Sequence, residues 1–148
     1  MRRALIFGLS SILAAAGLLA ACGGDDPSPE EQAVANTYTR YINAVKRGDG
    51  EAACNLLTPA FQRRAAATVA LGSRSGLKGT DCQTAIEKGR LPQLQQVVPN
   101  LEQIVVNGDR ASGVDPGEGQ IGPQKVFFER LGGDWKLSRT IFAQQQPG

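Results

Sequence analysis

Leu101-Glu102-Gln103-Ile104-Val105-Val106-Asn107-Gly108-Asp109-Arg110-Ala111-Ser112-Gly113-Val114 is the stretch that decides the fold. Leu101 to Val106 is apolar and rich in β-branched residues, which suit a pleated strand, and Asn107-Gly108-Asp109 has the composition of a hairpin turn. Ala111 to Val114 returns as the second strand, and Gly113 inside it marks a bulge or a bend. Further on, Lys125 to Leu131 and Trp135 to Phe142 read as two more strands around Gly132-Gly133-Asp134. Short turns between consecutive strands make this an antiparallel meander.

Upstream of Pro99 the texture is helical. Ser28 is an N-cap, Pro29 fits the first helical position, and Glu31 falls three residues after Ser28 to complete a capping box. Val34, Tyr38, Tyr41 and Val45 recur at helical spacing with Ile42 beside them, and Lys46, Arg47 and Gly48 form a helix stop. Asp49 caps a second, short helix carrying Cys54, Leu56 and Leu57. Thr58-Pro59 starts a third over the alanine-rich segment from Ala60 to Leu71. Gly72 to Gly79 reads as a loop, and Thr80 with Gln83 as a capping box for a helix that carries Cys82 and Ile86 and stops at Gly89. Helices first and a meander second define an α+β domain over residues 30–142. Gln144 to Gly148 reads as a disordered tail within residues 143–148.

The N-terminus has a different character. Arg2 and Arg3 precede an uncharged stretch of 18 residues, Ala4 to Ala21, that ends in small side chains, the pattern of a secretory signal over residues 1–21. A single membrane-spanning helix is the alternative, since the length just suffices. Leu19-Ala20-Ala21-Cys22 followed by Gly23-Gly24 resembles the lipobox of bacterial lipoproteins. That resemblance implies cleavage before Cys22 and a diacylglycerol on its thiol, two acyl chains that hold the protein durably on the extracytoplasmic face of the cell membrane. Residues 22–29 are then the lipidated cysteine and a polar tether, of which Gly23 to Pro29 spans roughly 20–25 Å when extended.

Cysteine arithmetic agrees. Setting Cys22 aside leaves Cys54 and Cys82, an even pair in an exported chain, and a bridge between them staples two helices. The alternative, a redox pair, favours a Cys-x-x-Cys spacing that the sequence lacks.

Composition narrows the chemistry. The chain has 148 residues, enough for one domain of ordinary size, with 16 Lys+Arg against 14 Asp+Glu and no histidine. Every mechanism that requires imidazole is excluded, as are histidine-based metal sites. Losing Arg2 and Arg3 with the leader leaves 14 basic residues against 14 acidic ones, a balance that does not favour nucleic acid.

Several motifs carry a bland reading and a functional one. Gly117-Glu118-Gly119-Gln120-Ile121-Gly122 matches a dinucleotide fingerprint literally, but Pro123 and a strand follow where a helix should begin, so it reads as a hairpin loop. Asp25-Asp26 and Glu30-Glu31 read as solvated charge rather than a cation site. Arg63-Arg64, Arg74, Lys78, Lys88 and Arg90 make the middle segment basic, either an ordinary surface or a contact for anionic headgroups. Strict alternation puts Arg139 on one strand face with Trp135, Leu137 and Ile141, where it is paired, snorkelling, or directed into a cavity that admits an anion. Tyr38 and Tyr41 lie on the packed face of the first helix, as core residues or facing a ligand.

Taken together, the chain resembles the nuclear transport factor 2-like superfamily. The carrying features are the capped first helix ending in Ala44-Val45-Lys46-Arg47-Gly48-Asp49-Gly50-Glu51-Ala52, the two helices after it, the Val105-Val106-Asn107-Gly108-Asp109-Arg110-Ala111 hairpin, and Gly132-Gly133-Asp134-Trp135-Lys136-Leu137. The resemblance implies a strongly curved antiparallel sheet wrapped around helices, with a pocket at one end whose candidates here are Tyr38, Tyr41, Trp135 and Arg139. Isomerase-type members pair a first-helix tyrosine with aspartates in an apolar cavity. Here Asp109 and Asp134 fall in turns and Asp115 ends a strand, so no acid/base pair follows and no residue is assigned as catalytic. The expectation is therefore a membrane-anchored extracytoplasmic lipoprotein without metal or organic cofactor. It binds a small apolar or amphipathic ligand or an envelope protein, without chemistry and without nucleic acid, in an oligomeric state that the sequence leaves open, a dimer included. The alternatives are an isomerase or lyase using Tyr38 or Tyr41 with Arg139, and a structural envelope protein.

Overall fold

The structure is a computed structural model that describes residues 26–72, 81–88, 97–117 and 122–142. Cys22 and the leader, residues 73–80 with Arg74, Lys78 and Thr80, residues 89–96 with Gly89 and Arg90, residues 118–121 of the glycine-rich segment, and residues 143–148 lie outside the described residues. Four helices precede four strands: α1 (Pro29–Arg47), α2 (Gly50–Asn55), α3 (Pro59–Gly72), α4 (Cys82–Lys88), then β1 (Glu102–Asn107), β2 (Arg110–Asp115), β3 (Gln124–Leu131) and β4 (Asp134–Phe142). The strands form one open antiparallel sheet in the order β1-β2-β3-β4, so the domain is α+β with a meander.

Local chemistry accounts for most element ends. At Ser28 both halves of the capping box form: the Glu31 amide donates to Ser28 Oγ at 3.2 Å, and the Ser28 amide to Glu31 Oε2 at 2.7 Å. Gly48 closes α1 in the left-handed conformation, and Asp49 caps α2 by accepting from the Ala52 amide. At the start of α4 Thr80 lies outside the described residues, and Asp81 supplies a cap. Asp81 accepts from the Thr84 amide at 2.8 Å, a bond that holds its carboxyl below the usual range. In the β3–β4 hairpin, Gly132 and Gly133 both have positive φ, the conformation a two-residue hairpin needs and glycine alone takes freely.

α1 lies across the sheet and touches both edge strands, β1 and β4. Its Val34, Tyr38 and Ile42 meet Val126, Phe128, Trp135 and Leu137 in one core, and Tyr38, Phe128, Leu57, Leu137, Val34 and Val126 are its largest wholly buried side chains. Below them Cys54 and Cys82 are joined in a disulfide, which ties α2 to α4. The free edge of β4 is partly covered. Leu57 bridges Leu137 in parallel, with the Leu137 amide donating to Leu56 O and the Thr58 amide to Leu137 O, both at 2.8 Å.

Two register shifts interrupt the ladders. In β1–β2 the extra residue sits in β1, opposite Gly113, and Gln103 takes a positive φ there. Gly113 therefore marks a bulge in the strand beside its own, and Leu101 lies against it, where an added Cβ would fall 2.7 Å from Leu101 Cγ. The second shift falls between Phe127 and Phe128 and places an extra residue, Ser138, in β4.

Candidate functional site

Two buried polar groups meet where α1 crosses the ends of β2 and β3. Tyr38 stands on the inward face of α1, and Asp115 is the last residue of β2; they are 1% and 3% exposed. The Tyr38 hydroxyl donates to Asp115 Oδ2. Gln124, paired with Asp115 across the β2–β3 ladder, places Nε2 3.3 Å from the Tyr38 oxygen and 3.4 Å from Asp115 Oδ2. The Gly117 amide donates to Asp115 Oδ1 at 2.8 Å, so both carboxylate oxygens are engaged. Burial, and then the hydrogen bond to Asp115, push the Tyr38 phenol far above its ordinary range. Its proton is thus committed to Asp115 rather than directed into open space.

This pairing is the main correction to the sequence reading. Asp115 does end a strand, yet that position brings its carboxylate onto Tyr38. Asp115-Pro116-Gly117 carries the signal that finds it, an aspartate accepting from the amide two residues on to make an Asx turn. Gln124 carries no such signal. Tyr41 is partly buried beside the same core, and desolvation pushes its phenol up to about 12.

Trp135 is 5% exposed and belongs to the core. Its Nε1 donates to Glu30 Oε2 at 3.1 Å, and Arg130, ion-paired with the same carboxylate, stacks over the indole with Cζ 4.5 Å from the ring centroid. Glu30 is therefore an exposed charge that is also partnered, and Glu31 belongs to the cap. Trp135 also borders a depression of about 570 Å³ between α1, α2 and the β3–β4 hairpin, with Arg40, Asn43, Arg47, Asn55 and Lys136 around it. Its lining is mostly polar, with three cationic side chains, Arg40, Arg47 and Lys136, and one acid, Asp134.

Arg139 does not share the face of Trp135 and Leu137. The bulge at Ser138 breaks the strict alternation: Leu137 pairs with Phe128, which is buried, but Arg139 pairs with Phe127. Arg139 consequently leaves the face that α1 covers. It is exposed, with its guanidinium over the Phe127 ring at 4.2 Å. There it borders a second depression, of about 500 Å³, with Arg64, Arg110, Phe127, Glu129 and Ser138. The four pocket candidates thus divide: Tyr38 and Tyr41 pack in or against the core, Trp135 is a core residue that also borders the first depression, and Arg139 lies on the opposite side of the sheet.

The glycine-rich segment joins β2 to β3, and Gln124 opens a strand directly after Gly122-Pro123, where the fingerprint would need a helix to continue; residues 118–121 lie outside the described residues. Among the described residues no group of three or more His, Cys, Asp or Glu side chains is placed to hold a metal ion. No helix among them is long and apolar enough to cross a membrane. Comparison with protein-family models, with curated proteins and with solved structures finds no match to this chain.

Proposed function

We propose that the chain is an extracytoplasmic lipoprotein, held at the cell membrane by a diacylglycerol on Cys22. In this reading residues 30–142 form a nuclear transport factor 2-like domain that binds an amphipathic ligand or an envelope protein without chemistry. The Cys54–Cys82 bridge is the observation that carries it. Of three cysteines two are joined, which leaves Cys22, in its lipobox setting, as the one available for lipid, and a structural disulfide suits an oxidising compartment. The non-catalytic part draws on dispersal. An isomerase or lyase needs Tyr38 or Tyr41 and Arg139 around one cavity, whereas the Tyr38 proton is held by Asp115 and Arg139 lies beyond the sheet.

Mass measurement of the natural protein tests the anchor. It should begin at Cys22 and carry the added diacylglycerol mass, and Cys22→Ser should leave the leader uncut or release the protein from membranes. A product that retains residues 1–21, or unaltered fractionation of the variant, refutes the anchor. Native mass spectrometry and crosslinking then look for a co-purifying ligand or partner, and repeated absence of both counts against a binding role.

A further inference from the structure

We infer that the outer face of the sheet carries a binding site for a phosphate-bearing ligand, built from Arg64, Arg110 and Arg139 around Phe127. These arginines come from α3, β2 and β4 and converge on one depression of about 500 Å³. Among the described residues none of the three forms an ion pair, and Glu129, the one acid lining the depression, lies beyond ion-pair distance of each. Three like charges gathered from distant parts of the chain repel one another, and an anion between them removes that cost.

The bulge strengthens the argument. Regular alternation would turn Arg139 toward the core with Leu137; the extra residue at Ser138 re-aims it to the outer face beside Arg110. Phe127 then holds it. The guanidinium carbon lies 4.2 Å from the ring centroid, with Lys125 Nζ 5.6 Å from the same centroid. This cation–π contact anchors the arginine head over the ring and occupies none of its N–H donors. Planar forks match phosphate oxygens bidentately, and three of them suit a group with three peripheral oxygens and more than one negative charge. The depression is open to solvent, so a group that projects from a larger molecule can enter it, and a phosphomonoester lipid headgroup and a free phosphate ester share the required chemistry.

The site goes beyond the anchored-lipoprotein reading and does not depend on lipid at Cys22. The test uses the full mature protein and phenylglyoxal, an arginine-selective reagent, with modification at each arginine followed by peptide mass spectrometry. Inorganic phosphate, added at constant ionic strength, should protect Arg64, Arg110 and Arg139 saturably while Arg40 and Arg47 react as before. Arg139→Gln should raise the phosphate dissociation constant by about tenfold, and Arg110→Gln should do likewise, whereas Arg40→Gln, with the same change in charge, leaves it unaltered. Vesicles of phosphatidylcholine with and without phosphatidic acid, a phosphomonoester headgroup, form the second arm. Protection by phosphatidic acid alone assigns the site to a headgroup, and protection by inorganic phosphate alone assigns it to a soluble ligand. Equal protection of Arg40 and Arg139, equal weakening by Arg40→Gln and Arg139→Gln, or protection by neither probe overturns the site.

Discussion

The hydroxyl of Tyr38 donates to Oδ2 of Asp115 across a separation of 77 residues, joining the first helix to the end of the second strand inside the core. A buried carboxylate without partners is costly, and this one has three: Tyr38, Gln124 and the Gly117 amide. Tyr38→Phe keeps the ring and removes one of them, leaving Oδ2 to Gln124 at 3.4 Å. We expect a loss of about 2 kcal/mol in urea unfolding. Asp115→Ala should cost at least as much, and the double variant should cost less than the two losses added, since both act on one bond. Additive losses show that the two groups are not coupled.

Alkaline titration reads the same region by another route. Burial raises the phenols of Tyr38 and Tyr41 above the ordinary value near 10, Tyr41 to about 12. A group whose folded value is raised contributes fully below its unfolded value and loses that contribution as pH rises. Stability should therefore hold to about pH 10 and then fall by up to about 1.4 kcal/mol per pH unit for each phenol. Ultraviolet absorbance should show tyrosinate forming together with unfolding rather than before it. Ionisation near pH 10 with the fold intact contradicts the buried placement.

Much of this architecture is legible because it is local. Ser28, Glu31 and Gly48 announce α1 through bonds within four residues, and the spacing of Val34, Tyr38 and Ile42 gives its inward face. The four strands follow from β-branched runs and glycine turns in the same way. Where a helix start offers two capping residues, Thr80 and Asp81, composition does not choose between them, and Asp81 accepts from the Thr84 amide. The candidate sites were harder to see. That Asp115 meets Tyr38 depends on how α1 crosses the sheet, which no nearby residue encodes. Regular alternation puts Arg139 on the face of Trp135 and Leu137, because nothing in the composition of Leu137-Ser138-Arg139 distinguishes a bulge from a regular strand, and the bulge turns it to the other face.

Gly50 tests how tightly α2 and α4 approach. A Cβ there would fall 2.4 Å from the backbone oxygen of Gln83, and backbone cannot swing aside as a side chain can. Gly50→Ala must separate the two helices that the disulfide ties, at a cost of about 2–3 kcal/mol by overpacking. Thermal unfolding with the bridge intact measures it, and an unchanged midpoint shows that the helices stand further apart.

Reduction of Cys54–Cys82 acts on the same pair of helices through the unfolded chain. The bridge closes a loop of about 29 residues, which in the chain-entropy account stabilises the fold by roughly 3.5 kcal/mol. A reductant, or Cys54→Ala with Cys82→Ala, should lower stability by about that amount. An identical unfolding curve with and without reductant means that the two thiols are free.

Deleting Ser138 distinguishes a bulged β4 from a regular one. In a regular strand a one-residue deletion turns every following side chain to the opposite face, which would disrupt the pairing of Arg139 to Phe142 with β3. In the bulged strand Leu137 already pairs with Phe128 and Arg139 with Phe127, so removing the residue between them leaves both partnerships in register. The deletion should therefore fold and keep Arg139 over Phe127, losing only about 1–2 kcal/mol with the local twist. Urea unfolding measures the cost, and the ring-current shift that Phe127 imposes on the Arg139 side chain reports its position. Loss of that shift, or a protein that no longer folds, would mean that β4 runs without the extra residue and that Arg139 belongs on the face of Trp135 and Leu137.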